Sequence, residues 1–221
     1  MLTLLLACTT PGTFEDTFGV PRKDLADCTA TWSNEGGPYT RTHFDSQGYP
    51  ASSEGVDTDG NWVEGLEFSM ELDDQDRPGH GSTSDGENTW TEDWSYEGST
   101  WRILEYTTER VGVSSTTWTW SWDGDTATVT DGGDCEQSGT LVDGLRFGGW
   151  DTTCEGELQS RSTLSWEDRL VHAELESFFG EESAVDEVDY SYDEDGRLVR
   201  QVHSTVGSDS VLDLAITWDC E

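Results

Sequence analysis

Short runs that alternate apolar and polar residues, each closed by an acidic or glycine-containing turn, constrain the fold of this chain most strongly. In one such run Tyr190 and Tyr192 alternate with small or acidic residues, residues 193–196 (DEDG) form a turn, and Leu198 and Val202 resume the alternation. A period of two residues is that of a β-strand with one buried face, and a glycine turn between two such runs predicts a β-hairpin.

The same arrangement recurs along the chain. The apolar residues that precede the successive turns are Phe44, Leu72, Tyr96, Trp122, Trp166 and Tyr192, with Trp218 in a similar register near the end. Their spacing is near 26 residues, which fits two strands and two turns, except for a longer gap that contains the turn 141–144 and a divergent unit. The sequence therefore predicts an all-β fold over residues 28–221, an antiparallel meander of repeated β-hairpins that forms either a curled sheet or an open barrel.

One repeat carries a recognisable motif. Its residues are Tyr190, Tyr192, Asp193, Gly196, Arg197 and Leu198. This pattern resembles YD-repeat (RHS-like) sequences, whose unit has a Tyr, then Tyr-Asp, two variable residues and Gly-Arg-Leu. The other units keep only an aromatic or apolar residue, an acid and, in most of them, a Gly. The resemblance implies consecutive β-hairpins in a long antiparallel sheet and implies nothing about chemistry.

The charge of the chain excludes two classes of partner. Its formal net charge is -36, from 47 acidic residues against 11 basic ones. Nucleic acids and anionic lipid surfaces are bound through Lys and Arg, so neither is expected as a partner. Few aliphatic residues are present, but 11 Trp and 6 Tyr can build a thin aromatic core, which argues against disorder. Since acidic residues crowd the solvated faces, we expect salt to stabilise the fold.

The N-terminus indicates export. Residues 1–7 are apolar apart from one Thr, and the segment Leu5-Leu6-Ala7-Cys8 resembles the lipobox of bacterial lipoproteins. The resemblance implies a signal peptide at residues 1–7, shortened at its start, and a lipid attached to Cys8. Residues 8–27 mix Pro, Gly, Thr and charge and are predicted to be a tether. Thr9 carries no acidic retention signal, which points to the outer membrane or cell surface, with membrane contact through the lipid anchor only. The alternative interpretation is a buried N-terminal strand.

The remaining cysteines fit an exported protein. Setting Cys8 aside leaves Cys28, Cys135, Cys154 and Cys220, an even number that allows three pairings. We favour Cys135–Cys154, which closes a local hairpin, and Cys28–Cys220, which would join the outermost strands. No cysteine has the spacing of a zinc site.

Two groups of residues are candidate ligand sites. Among the acidic turns, the candidate Ca²⁺ ligands are Asp57, Asp59, Asp193 and Asp195. None completes an EF-hand loop, so ordinary solvated turns are favoured. The second group is Trp118, Trp120 and Trp122, which share one strand face and would stack on a glycan if exposed. An aromatic core is the favoured interpretation of this group.

No catalytic or cofactor motif is present. The four histidines, His43, His80, His172 and His203, are scattered and show no metal-ligand spacing, and no GxSxG motif occurs. We therefore predict no enzymatic activity and no cofactor other than Ca²⁺ as an alternative. The expected role is that of a lipid-anchored β-sheet protein with a structural or interaction function and a glycan or protein partner. A glycan- or Ca²⁺-binding module is the alternative, and a hydrolase is the third hypothesis.

Overall fold

The computed structural model describes residues 23–143, 146–180 and 182–220. Within them lie a 3-10 turn at Lys23–Leu25 and sixteen β-strands. The strands are β1 (Cys28–Asn34), β2 (Gly37–Phe44), β3 (Pro50–Val56), β4 (Trp62–Leu72), β5 (Pro78–Ser84), β6 (Thr89–Tyr96), β7 (Ile103–Arg110), β8 (Ser114–Asp123), β9 (Thr126–Thr130), β10 (Cys135–Leu141), β11 (Phe147–Cys154), β12 (Glu157–Trp166), β13 (Leu170–Phe179), β14 (Glu182–Tyr192), β15 (Leu198–Thr205) and β16 (Val211–Cys220). The predicted all-β antiparallel meander is confirmed. The divergent unit in the long gap is the hairpin of β10 and β11.

The strand order is simple. Each strand is hydrogen-bonded to the strands before and after it in the chain, and β1 is also paired with β16. The hydrogen-bonded strand order therefore closes on itself, which is the topology of a barrel. The sequence analysis had left a curled sheet and an open barrel as alternatives.

The described residues fall into two compact units. The terminal unit comprises residues 23–118 and 215–220, and the central unit comprises the described residues of 119–214. The first half of β8 and the second half of β16 belong to the terminal unit, and their other halves belong to the central unit.

The terminal unit begins before the first strand. Leu25 is buried, and the backbone N–H of Asp27 donates to the carbonyl of Asp45 at 3.0 Å. The last five residues of the expected tether, 23–27, are therefore part of this folded unit. The remainder of that tether, the signal peptide and Cys8 lie outside the described residues.

A β-bulge precedes the turn at the end of most even-numbered strands. In the terminal unit the register shifts at Phe44, Leu72 and Tyr96, and in the central unit at Leu141, Trp166 and Tyr192. A bulge bends a strand and redirects a side chain. The bulged residue then pairs with a residue beyond the turn, and most of those partners are buried: Pro78, Ile103, Phe147, Leu170 and Leu198. Much of the buried core of each unit lies at these strand ends.

Alternation along β4 gives this strand one half-buried apolar face. In β4, Leu66, Phe68 and Met70 are half-buried and the intervening polar residues are exposed. Leu72, at the bulge between Glu71 and Leu72, is exposed and lies beyond the end of this face. In β16, Leu214 and Ile216 are buried, whereas Leu212 is exposed.

Both disulfides join residues that are opposite one another in the sheet. Cys28 is bonded to Cys220 across β1 and β16, and Cys135 to Cys154 across β10 and β11. This is the pairing that the sequence analysis favours. The first bond links residues 192 positions apart and the second links residues 19 positions apart.

Candidate functional site on the turns and the polar strand face

Arginines form a repeated structural element at one set of turns. We call the turns that end at Arg77, Arg102, Arg146, Arg169 and Arg197 the arginine turns. They follow β4, β6, β10, β12 and β14.

Arg77 shows the element in the terminal unit. Its side chain is buried, and its Nε donates to Asp73 Oδ2 at 2.8 Å, within the same turn. Its Nη1 donates to the carbonyls of Gly98, at 3.0 Å, and Thr100, in the next arginine turn. The guanidinium lies 4.3 Å from the ring centroid of Tyr96. One side chain therefore joins two turns through charge-assisted hydrogen bonds and a cation–π contact.

The central unit repeats this arrangement. Arg146 donates to Asp143 in its own turn at 2.6 Å and to the carbonyl of Glu167 in the next at 2.8 Å, and it lies 5.6 Å from the Trp166 ring. Arg169 lies 5.6 Å from the ring of Tyr192, which precedes the following turn.

The aromatic residue before a turn also donates a hydrogen bond back towards the preceding arginine turn. Tyr96 Oη donates to the carbonyl of Pro78 at 3.0 Å in the terminal unit. In the central unit Trp166 Nε1 donates to Phe147 at 2.8 Å and Tyr192 Oη donates to Leu170 at 2.9 Å. Each acceptor is the residue that follows the preceding arginine turn. Three of the residues found by the spacing analysis, Tyr96, Trp166 and Tyr192, are thus half-buried hydrogen-bond donors.

The candidate Ca²⁺ ligands are mostly engaged within their own turns. Asp57 Oδ1 accepts the backbone N–H groups of Asp59 and Asn61 at 2.9 and 2.8 Å, and these hydrogen bonds lower the pKa of Asp57. The carboxylate of Asp57 therefore closes the acidic turn in which this residue lies, and the turn is of the Asx type.

The second acidic turn carries its own cation. Asp193 Oδ2 accepts from Arg197 Nε at 2.9 Å, and Asp195 Oδ2 accepts from Arg197 Nη2 at 2.6 Å. Desolvation opposes ionisation of Asp193, but the backbone and guanidinium hydrogen bonds from Arg197 outweigh it and lower its pKa. The guanidinium thus occupies the position in which a Ca²⁺ ion would bind these carboxylates.

The candidate glycan-binding tryptophans are half-buried within aromatic clusters. In the terminal unit Trp118 stacks on Tyr106 with ring centroids 5.4 Å apart. In the central unit Trp120 lies 6.1 Å from Trp122 and 5.6 Å from Trp150.

Three histidines pair with carboxylates on neighbouring strands. His43 lies 2.7 Å from Glu54, His80 lies 2.8 Å from Asp93, and His172 lies 2.7 Å from Asp189. The fourth, His203, has a pKa lowered by desolvation. These pairings were not predicted, because each joins residues 11 to 17 positions apart whose contact depends on strand register.

One of these pairs extends into a network in the terminal unit. Thr29 Oγ1 lies 2.9 Å from His43 Nδ1, His43 Nε2 contacts Glu54, and the Arg41 guanidinium also binds Glu54. Hydroxyl, imidazole and carboxylate are connected as in a hydrolytic triad. A triad also needs donors aimed at an oxyanion, whereas Thr29 lies inside the ladder between β2 and β16. The network therefore favours a cross-strand ion pair over a catalytic centre.

This network predicts a pH dependence of stability. The hydrogen bond from Arg41, followed by that from His43, lowers the pKa of Glu54 from 4.5 to about 2. Because the folded-state pKa is below the unfolded one, the contribution of Glu54 is present above pH 4.5 and is lost as the pH falls towards 2. We expect Glu54→Gln to be less stable than the wild type at pH 6, with the difference vanishing near pH 2, in urea unfolding curves. A difference that is independent of pH would contradict the assignment.

A further cluster lies on the same strand face as His172 in the central unit. One ligand atom from each of His172, Glu174 and Glu187 lies within 4.8 Å of the others, and all three residues are half-buried. His172 and Glu174 are two residues apart on β13, and Glu187 on β14 is directly opposite Glu174. Imidazole and carboxylate are metal-ligating groups, so this cluster is the candidate metal site among the described residues.

The region described contains no helix that is long and apolar enough to cross a membrane. No protein-family model matches this sequence, and no curated protein shows significant similarity to it. The functional interpretation therefore depends on the geometry of the chain itself.

Proposed function

We propose that this chain is an exported, lipid-anchored protein of the outer membrane or cell surface with a structural or interaction role. The observation that carries the proposal is the pair of disulfides, each joining directly opposite residues of the sheet. Disulfides persist in oxidising compartments outside the cytosol, and the Leu5–Cys8 segment supplies the expected lipid attachment at Cys8.

A structural role is supported by how the scarce cations are used. All of the arginines named above bind carboxylates, carbonyls or aromatic rings within their own unit, and three histidines bind carboxylates. These arginine and histidine side chains therefore connect turns and strands to one another. What remains for a partner is a strongly acidic surface, which fits a protein partner of opposite charge through electrostatic steering.

The glycan-binding alternative receives less support from the geometry. It requires an open stacking platform, and the rings of Trp118 and Trp120 instead contact Tyr106 and Trp150. We therefore retain aromatic packing as the role of this strand.

The test is metabolic labelling of the full chain with radioactive palmitate in a bacterial host. We expect the wild type to be labelled and Cys8→Ala to lose the label, while the control Cys135→Ala keeps it. Alkylation of the purified protein before and after reduction would count the disulfides. An unlabelled wild type would overturn the lipid anchor, and free thiols at Cys28 and Cys220 would overturn export.

A further inference from the structure

We propose that His172, Glu174 and Glu187 bind a divalent transition-metal ion, with Zn²⁺ as the representative. The proposal rests on the register of β13 and β14 and is independent of the lipid anchor. Alternate residues of one strand share a face, and an opposed residue on the next strand completes a three-donor set.

The two glutamates are in an unusual electrostatic position. Glu174 and Glu187 face each other directly, both are half-buried, and neither has a hydrogen-bond or ion-pair partner within the described residues. Like charges opposed across a strand pair destabilise a sheet. On the same unit's strands Asp151 is neutralised by Arg161 and Asp213 by Arg200, at 2.7 and 2.6 Å. A bound cation would supply the two glutamates with the positive charge that arginine supplies to Asp151 and Asp213.

The histidine is oriented for coordination by a residue outside the donor set. Asp189 Oδ1 lies 2.7 Å from His172 Nδ1, so the Nδ1 position is held by a carboxylate and Nε2 remains as the metal ligand. Metal-binding histidines commonly have this second hydrogen bond, which fixes the tautomer and ring orientation. The arrangement is therefore more than a cluster of acids, since it presents an imidazole nitrogen beside two carboxylates.

The donor set selects the class of metal. One imidazole and two carboxylates suit Zn²⁺ and its neighbours Cu²⁺ and Ni²⁺, whereas Ca²⁺ takes 6–8 oxygen ligands. In a tetrahedral site with bonds of about 2 Å, ligand atoms are roughly 3.4 Å apart. The donors lie within 4.8 Å, so rotation of the two glutamate side chains would close the site. Three protein ligands leave a fourth position for water.

Thermal unfolding of the full-length, disulfide-intact protein tests the site after chelator treatment. At a ZnCl₂ concentration near 100 times its dissociation constant we expect the Tm to rise by about 5–10 °C. CaCl₂ and MgCl₂ at equal ionic strength should not reproduce the rise. His172→Ala and Glu187→Gln should abolish it, and Glu187→Gln should also fold well because it removes a like-charge pair. His80→Ala, which alters a similar pair in the other unit, should keep the rise.

A spectroscopic measurement gives a second readout. The electron paramagnetic resonance spectrum of the Cu²⁺ adduct should show coupling to one imidazole nitrogen, and His172→Ala should lose that coupling. An equal Zn²⁺ response in the wild type and His172→Ala would overturn the site, as would no response at all. A response to Ca²⁺ as large as that to Zn²⁺ would overturn the metal class.

Discussion

Removal of the Cys28–Cys220 disulfide is expected to lower the free energy of unfolding by about 5 kcal/mol. The bond closes a loop of 192 positions, and the entropy that a crosslink removes from the unfolded chain grows with loop length. The same relation gives about 3 kcal/mol for Cys135–Cys154, whose loop spans 19 positions. The long-range bond also fixes the pairing of β1 with β16, which no short connection enforces.

The measurement is guanidinium unfolding of Cys28→Ala/Cys220→Ala beside Cys135→Ala/Cys154→Ala. The first double variant should have the lower midpoint by an amount equivalent to about 2 kcal/mol, and its Tm should fall by roughly 10–20 °C relative to the wild type. Equal losses in the free energy of unfolding from the two double variants would show that loop entropy does not dominate the contribution of these disulfides.

Substitution of Arg77 by Ala is expected to cost about 3–5 kcal/mol, the range for removing one partner of a buried ion pair. The change leaves the half-buried Asp73 without its guanidinium and removes the donor to the carbonyls of Gly98 and Thr100. It also removes the cation above the Tyr96 ring.

Two variants serve as controls. Arg161→Ala removes a more exposed bidentate pair with Asp151 and should cost less than about 1 kcal/mol. Arg77→Lys keeps the charge but lacks the planar fork, so most of the loss should remain. Urea unfolding midpoints report all three. A loss for Arg77→Ala no larger than that for Arg161→Ala would mean that the arginine turns contribute little to stability.

Alternation and turn chemistry located the hairpins well. Phe44, Leu72, Tyr96, Trp166 and Tyr192 were read as the last apolar residues before turns, and each is the final residue of its strand. Strand period and turn preference are local properties of a few consecutive residues, so they can be read without knowledge of the fold.

The candidate sites were less accessible to sequence reasoning. Arg77 contacts carbonyls 21 and 23 positions away, and Glu187 lies opposite Glu174 only in one register of β13 and β14. A shift of one residue would move Glu187 to the other face. The arginine that ends five of the turns was a visible signal in the sequence, but the carbonyls and rings that it contacts could not be identified from the sequence.

The sequence by itself determined the strand class, the hairpin order and the acidic surface, because period, turn residues and charge act over short distances or as sums. Only the tertiary structure decided that the strand order closes, that arginines join successive turns, and that His172 meets two glutamates. These features depend on register and bulges, which are set by the combined packing of many residues rather than by any one segment.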